Sequence, residues 1–453
     1  MYKPYKKPVI KVSPDFKLPE PRISLFTVFL LRIFTRLYLF LFYGISRTLL
    51  HEDIKFYEAF KRALEKKSRL IIAFRHPNGG EPQLLTWFFL FKLRWYALRK
   101  KVHFSKWPHA VFVYGYEVVR WGGWVVRYVM PNVGAMPIYH SKMDTKGMAR
   151  IYSAISSGKY PLAIAPEGQV SYSTDTIPRL EPGVIRIGFN AALHQEKKDP
   201  ACPVEILPIS IHFRFGSWGK ATVEFVLKKV EKFCGFSKKE SKSLAFQERI
   251  IKCREYILCA NEERYKIKND SHQLSFEERL EKVINTALET SERMLGIKSE
   301  GDYFTRLNKV RQTCWDKIYL PDIFDFKNMS RIERSLKDTE AGQAWYISLH
   351  QELAEFGWYF KTPIPSDDKP LHIKIEYVQN LYDFANRTMG GAYSNRVSIF
   401  PRKVIIKSSP VINLTERLAR YKEDRKTTIS DTLADLEKAY IDDINEMNKI
   451  EKG

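Results

Sequence analysis

The sequence predicts an α/β protein in which a mixed or largely parallel sheet is flanked by helices. Between residues 51 and 236, short apolar runs alternate with helical patterns, which is typical of strands joined by helices. A strongly apolar segment precedes this region at residues 23–50, and Lys- and Glu-rich helical patterns dominate residues 237–453. These three observations predict an apolar helix before the sheet and a mainly helical C-terminal region after it.

Residues 1–22 are rich in Lys, Pro and Tyr and predict a mobile basic arm. Residues 23–50 are apolar, but Arg32 and Arg36 leave uncharged runs too short to cross ~30 Å of membrane hydrocarbon. At about 100° per residue, both arginines fall on one narrow face, and Phe and Leu occupy the other faces. This pattern predicts an amphipathic helix lying in the membrane interface; a membrane span and a buried helix are the alternatives.

The region at residues 51–236 contains most of the predicted sheet. Apolar runs predict strands near residues 70–74, 110–114, 133–138, 161–165, 206–213 and 222–227. Helical patterns lie near residues 54–66, 83–98, 145–157 and 183–194. After residue 236, helical segments precede a Pro-rich loop, a β-like run at 403–407 and a charged helix at 414–449. The sequence leaves open whether residues 222–227 or 403–407 close the sheet.

The charge composition favours a polyanionic partner. Lys and Arg number 74 against 52 Asp and Glu, a formal net charge of +22, which suits an anionic membrane surface or nucleic acid. We expect membrane lipids and no nucleic acid, because a soluble nucleic-acid-binding protein has no use for the apolar residues 23–50. The five cysteines lack metal-ligand spacing. They therefore predict neither a disulfide framework nor a metal site, and they fit a reducing, cytoplasmic location.

Two loops carry the candidate chemistry. The first, at residues 75–82, ends an apolar run and contains His76 and Glu81 five positions apart around two glycines. A carboxylate bonded to the imidazole would fix its tautomer and let the other ring nitrogen act as a general base. The second loop follows another apolar run as Pro166, Glu167 and Gly168, at the sheet edge where α/β proteins bind ligands.

Together these segments resemble the glycerolipid acyltransferase family, which includes the lysophosphatidic acid acyltransferases. The family has a His, four residues and an Asp, then a strand followed by Pro-Glu-Gly; its other motifs are a Gly-x-x-Pro segment and a strand around a Pro. The resemblance covers about residues 55–230 and implies a glycerolipid-acyltransferase-like fold. The matching residues in this sequence are His76, Glu81, Pro82, Gly134, Met136, Pro137, Ile138, Pro166, Glu167, Gly168, Pro178, Gly183 and Pro208.

The sequence departs from the family at two positions. Glu81 replaces the usual Asp, which makes the first motif His-x4-Glu (HX4E) and keeps the carboxylate. His140 stands where the family carries an Arg that binds the acceptor's phosphate, and a neutral imidazole cannot form a bidentate contact. Either Lys142 or Arg179 supplies the missing charge, or the acceptor lacks a terminal phosphate.

The resemblance implies an O-acyltransferase that moves an acyl group from acyl-CoA or acyl-carrier protein to a lysophospholipid hydroxyl, as in phospholipid biosynthesis or remodelling. His76 and Glu81 would be catalytic, with no metal and no cofactor besides the acyl donor. The enzyme would lie on the cytoplasmic face of a membrane as a peripheral or monotopic protein. The alternatives are a non-phosphorylated or aminolipid acceptor, a basic nucleic-acid-binding protein and an inactive membrane scaffold. Residues implied in substrate binding are Gly134, Pro137, His140, Lys142, Pro166, Glu167, Gly168 and Arg179.

Overall fold

The computed structural model describes residues 10–51, 54–139, 144–198, 201–216, 218–268, 273–321, 324–391, 396–397 and 401–452. The elements up to residue 215 are, in chain order, β1 (Ser13–Pro14), α1 (Leu25–Tyr43), β2 (Ile45–His51), α2 (Ile54–Leu64), β3 (Arg69–Phe74), α3 (Glu81–Trp87), a π-helix (Phe88–Leu93), α4 (Arg94–Arg99), β4 (Val111–Gly115), α5 (Glu117–Trp121), α6 (Gly123–Asn132), β5 (Met136–Ile138), α7 (Thr145–Ser157), β6 (Leu162–Ile164), α8 (Gly183–Glu196) and β7 (Val204–Phe215). The later elements are α9 (Gly219–Phe233), α10 (Lys238–Ser243), α11 (Phe246–Tyr265), α12 (Phe276–Leu295), α13 (Tyr303–Ile318), β8 (Tyr319–Leu320), α14 (Arg331–Tyr359), α15 (Leu371–Thr388), β9 (Arg402–Ser408), β10 (Ile412–Asn413), α16 (Leu418–Glu423) and α17 (Arg425–Lys452).

These elements form two compact units. The sheet unit comprises Leu18–Trp218 and Ser398–Gly453, and the helical unit comprises Met1–Lys17 and Gly219–Val397. The predicted boundary at residue 236 is therefore wrong, because α9 already belongs to the helical unit. The predicted C-terminal region is also not continuous, because its last part returns to the sheet unit.

The sheet of the sheet unit confirms the α/β prediction of a mixed, mostly parallel sheet flanked by helices. Its strands follow the order β2, β9, β7, β3, β6, β4 and β5, and β10 also pairs with β7. β3 is parallel to both neighbours, β6 and β7, and β4 continues the parallel arrangement to β5. β9 is antiparallel to β7 and parallel to β2. The carboxyl ends of β3, β4, β5 and β6 therefore lie at one edge of the sheet.

Side chains of β3 alternate between two apolar layers, as the two-residue period of a strand requires. Leu70 and Phe74 pack in the layer formed with α1, α2 and α3. Ile71 and Ala73 pack in the opposite layer, which contains residues of α7, α8 and α17. All six residues of β3 are buried, so the strand lies at the centre of the unit and its end is held on both sides.

Two apolar runs have different structures from those predicted. Residues 222–227 lie inside α9 rather than in a strand, because Val223, Val226, Leu227 and Val230 are buried at helical spacing. Residues 403–407 form β9, whose Val404 and Ile406 are fully buried. The later segment, and not the earlier one, therefore completes the sheet.

α1 is shorter than the predicted helix at residues 23–50. Gly44, at φ 66°, ends the helix in the left-handed conformation that glycine adopts without strain. The chain then continues as β2. Among the described residues, α1 is the one helix long and apolar enough to cross a membrane, judged by length and composition alone.

The first described residues are held by the rest of the chain, although residues 1–22 are predicted to be a mobile arm. Ser13 and Pro14 pair with β8, and the amide of Val12, itself buried, donates a hydrogen bond to Asp338 within the helical unit. In the sheet unit, Glu20 binds the guanidinium of Arg150 through both carboxylate oxygens. The arm prediction is therefore wrong for residues 10–22, and residues 1–9 lie outside the described residues.

We predict that Tyr440 of α17 stabilises the sheet unit through packing more than through its hydroxyl. The ring is fully buried, and the hydroxyl donates to the carbonyl of Ala73 in β3 at 2.9 Å. Tyr440→Phe should lower the free energy of unfolding by about 1 kcal/mol. Tyr440→Ala should lower it by about 3–5 kcal/mol through the cavity it leaves. Urea denaturation of both variants checks this, and equal losses would contradict it.

Candidate active site

His76 and Glu81 lie on the loop that joins the end of β3 to the first residue of α3. His76 Nδ1 lies 2.6 Å from Glu81 Oε2, and the amide of Gly79 donates to the same oxygen at 2.8 Å. Gly79 adopts φ 96°, which an L side chain rarely takes, so glycine is needed for this turn. The structure thus brings together the pair that the sequence predicts.

The geometry assigns the tautomer of His76. Glu81 Oε2 accepts from the Gly79 amide, and its carboxyl group is fully buried. Because Glu81 Oε2 is an acceptor, the proton of the imidazole lies on His76 Nδ1, and the Nε2 lone pair is left unprotonated. Within the described part of the chain, Nε2 has no hydrogen-bond partner, and the side chain of His76 is 16% exposed. This nitrogen can therefore accept a proton from a substrate.

Glu167 holds the start of this loop rather than facing solvent. Its Oε1 lies 2.6 Å from Nε of Arg75, and its Oε2 accepts from the backbone amide of His76 at 3.1 Å. Both charged side chains are almost fully buried. Buried charges are tolerated when they are paired and hydrogen-bonded. Glu167, which the sequence assigns to substrate binding, therefore positions His76 by holding the start of its loop.

Arg75 is a functional residue that the sequence reasoning missed. Besides binding Glu167, its guanidinium donates to the backbone carbonyls of Ser173, Thr174 and Thr176. One side chain thereby joins the end of β3 to the loop after β6. A signal was present in the sequence, because Arg75 stands between the end of an apolar run and His76.

Tyr43 ties the end of α1 to the same loop. A Cβ atom at Gly80 would lie 2.6 Å from a ring carbon of Tyr43, so only glycine allows this approach. Gly80 caps the start of α3, one residue before Glu81. The position of the apolar helix and that of the His76–Glu81 pair are therefore coupled.

The second motif forms a tight turn at the end of β6. Gly168 adopts φ 70°, and its amide donates to Ala165. The carbonyl of Pro166 accepts from Glu181, just before α8. Arg179 lies exposed on the loop between this turn and α8. The expected substrate-binding residues Pro166, Gly168 and Arg179 thus belong to one loop, next to the strand that carries His76.

Gly134 and Pro137 lie farther from the catalytic pair. Both are buried, and Pro137 belongs to β5, which β6 and β4 separate from β3 by three strand spacings, roughly 14 Å. Gly134 has φ 74°, and a Cβ there would lie 3.1 Å from the side chain of Ile23. These contacts assign Gly134 a structural part. His140 and Lys142 lie outside the described residues.

No group of three or more His, Cys, Asp or Glu side chains in the described part of the chain stands close enough to hold a metal ion. Comparison of the chain with models of protein families and with curated proteins finds no match.

We predict that Arg75 and Glu167 are strongly coupled in stability. Arg75→Met should lower the free energy of unfolding by about 3–5 kcal/mol, because it leaves the buried carboxylate of Glu167 without a counter-charge. Glu167→Gln should also destabilise, because it leaves the guanidinium without an ionic partner.

The double variant tests whether the two residues act as a pair. Arg75→Met with Glu167→Gln should lose less than the sum of the single losses, with a coupling of roughly 0.5–3 kcal/mol. Urea denaturation of the four proteins measures this cycle. Additive losses would show that each residue stabilises the loop independently.

Proposed function

We propose that this protein is a membrane-associated O-acyltransferase that moves an acyl group from a thioester donor to a lipid hydroxyl. The observation that carries the proposal is the buried Glu81 carboxylate 2.6 Å from His76 Nδ1, at the carboxyl edge of the sheet. The resemblance to glycerolipid acyltransferases in sequence, including the Pro166–Gly168 turn, supports the same reaction. An acyltransferase-like fold for the sheet unit is part of this proposal.

In the proposed reaction, His76 is the general base. Its Nε2 takes the proton from the acceptor hydroxyl as that oxygen attacks the carbonyl carbon of acyl-CoA or acyl-carrier protein. The negative charge of Glu81 attracts the positive charge that develops on the imidazole in the transition state, and so stabilises the imidazolium. The carbon–sulfur bond then breaks, and the departing thiolate takes the proton back from His76. The products are the acyl ester and the free thiol.

The lipid location is supported by α1. Its large apolar side chains are exposed, including Phe26, Phe29, Phe34 and Phe42, which are each more than half exposed. A continuous apolar patch of this kind is typical of a membrane or protein contact. Because Tyr43 packs on Gly80, a bilayer that covers α1 would lie close to the His76 loop. An acceptor with its acyl chains in the bilayer could then present its hydroxyl to His76.

The acceptor proposed first is a lysophospholipid such as lysophosphatidic acid. The alternative is an acceptor without a terminal phosphate, because His140 replaces the phosphate-binding Arg of the family. Both versions use the same base and the same donor chemistry. They differ in the cations that the acceptor requires.

The catalytic assignment predicts a large effect at His76. His76→Ala should lower acyl transfer about 10²–10⁴-fold, which is the usual contribution of a general base, while the melting temperature stays close to that of the wild type. The measurement incubates purified protein with labelled acyl-CoA and a panel of lysolipids and identifies the product. Near-normal turnover in a folded His76→Ala protein would refute the assignment.

Substitutions of Glu81 provide a matched control. Glu81→Gln should impair turnover strongly, because an amide cannot supply the charge that stabilises an imidazolium. Glu81→Asp should be milder, because it keeps the carboxylate that the family usually carries at this position. The reverse order of damage would mean that Glu81 does not act through His76.

The nature of the acceptor is tested by removing the protein's own cations. If it carries a phosphate monoester, Arg179→Ala or Lys142→Ala should raise the acceptor KM far more than the donor KM, because each removes ground-state binding. If the acceptor lacks a terminal phosphate, His140→Arg should instead improve the use of lysophosphatidic acid. An acceptor KM that neither alanine variant alters would indicate a lipid without a terminal phosphate.

A further inference from the structure

The two arginines of α1 face the protein instead of the exposed apolar side. The guanidinium of Arg36 donates to the carbonyls of Ile45 and Ser46 at 2.6 and 2.5 Å, which fastens α1 to the start of β2. Arg32 lies over the rings of Phe91 and Trp107, at 5.0 and 4.6 Å from their centroids. The charges therefore line one side of the helix, while its opposite side is apolar.

An open groove of about 520 Å³ lies between α1 and the π-helix Phe88–Leu93. Its volume is within the ~300–1,000 Å³ typical of ligand sites. Phe29, Ile33, Trp87 and Phe91 form its apolar walls, and Arg32, Arg36 and Lys92 supply its charges. Phe29 and Ile33 are each more than half exposed, so the groove is continuous with the apolar face of α1.

The segments that line the groove are basic and carry no acidic residue except Glu81 at the start of α3. Residues 82–116 contain six Lys or Arg and no Asp or Glu, and residues 23–51 contain three Arg and no Asp or Glu. Within the described residues, neither Arg32 nor Lys92 has an ion pair or a hydrogen bond. Cations that stand together beside apolar surface are expected to attract an anionic amphiphile.

The chemistry of the cations favours a phosphate. A guanidinium presents several donors in a plane that matches phosphate oxygens, and an ammonium acts as a compact point charge beside it. Two nearby tryptophans, Trp95 and Trp107, are 66% and 44% exposed. Tryptophan is enriched where hydrocarbon meets lipid headgroups. A headgroup phosphate and its acyl chains would therefore meet suitable surfaces at the same place.

We propose that this groove binds the phosphate group of an anionic phospholipid of the bilayer. Arg32 and Lys92 are its charged contacts, and the apolar side of α1 lies along the acyl chains. Arg36 adds charge while it holds α1 to β2. The proposal rests on the membrane location in the proposed function, but not on acyl transfer. It makes α1 a helix that lies in the interface with its arginines on a bound headgroup.

The test measures binding of the full chain to vesicles of phosphatidylcholine alone and of phosphatidylcholine mixed with phosphatidylglycerol. Wild type should prefer the mixed vesicles. Arg32→Gln and Lys92→Gln should each lower that preference roughly fivefold, the usual effect of one cation at an anionic surface. Binding to phosphatidylcholine alone should not change. Lys92 is exposed, unlike Arg32, which packs over two aromatic rings. Lys92→Gln therefore keeps the test valid if Arg32→Gln disturbs folding.

Two further variants serve as controls. Lys197→Gln makes the same charge change at the exposed end of α8, which packs on the opposite face of the sheet. It should leave the preference intact. Phe34→Gln changes the apolar side of α1 outside the groove, and it should weaken binding to both kinds of vesicle equally. If Lys197→Gln lowered the preference for mixed vesicles as much as Lys92→Gln does, overall charge would explain the binding and the groove proposal would be overturned.

The remaining outcomes separate this proposal from the others. Inorganic phosphate, titrated calorimetrically without vesicles, should give no binding that depends on Lys92; such binding would identify a site for soluble phosphate and overturn the lipid assignment. A wild type that binds neither vesicle overturns the membrane location and the groove together. The wild type could also prefer the mixed vesicles and yet show no acyl transfer when activity is assayed in detergent. That outcome would overturn the proposed reaction and leave the lipid-binding groove standing.

Discussion

The candidate active site depends on one buried carboxylate. Glu167 divides its two oxygens between the guanidinium of Arg75 and the backbone amide of His76. A charge in this position is stable only while both partners remain, so the interaction fixes the end of β3 against the turn after β6. The orientation of His76 relative to Glu81 follows from that fixed starting point. His76 and Glu81, on a short loop with two glycines, could otherwise adopt many relative positions.

α1 carries charged and apolar side chains that need different surroundings. Its sequence combines two arginines with many large apolar residues, and no single environment suits both sets. The structure places the arginines against backbone carbonyls and aromatic rings, and leaves the apolar side exposed. The helix is also fixed to the His76–Glu81 loop, because Tyr43 packs where only Gly80 fits. The same helix therefore presents the exposed apolar side and helps to set the position of His76.

The sheet is completed by the end of the chain. β9 lies between β2 and β7, and α17 covers β3 through Tyr440. The helical segments of Gly219–Val397 are therefore inserted between parts of one sheet unit. Val404 and Ile406, on the buried face of β9, add apolar contacts that neither β2 nor β7 could make alone. A chain truncated after the predicted boundary at residue 236 would lose β9, and β2 would then lose the strand it pairs with while β7 kept its pairing with β3.

The sequence by itself determined the features that depend on local periodicity and spacing. These include the α/β class, the buried strand before His76 and the pairing of His76 with Glu81, since a carboxylate five residues after a histidine can reach the imidazole across two glycines. Only the tertiary structure decided which distant segments meet. Residues 222–227 became helical because their apolar side chains are buried at helical spacing, although the run alone reads as a strand. Glu167 acquired its role only when β3 and β6 became neighbours, because a buried carboxylate takes its function from the partners that surround it.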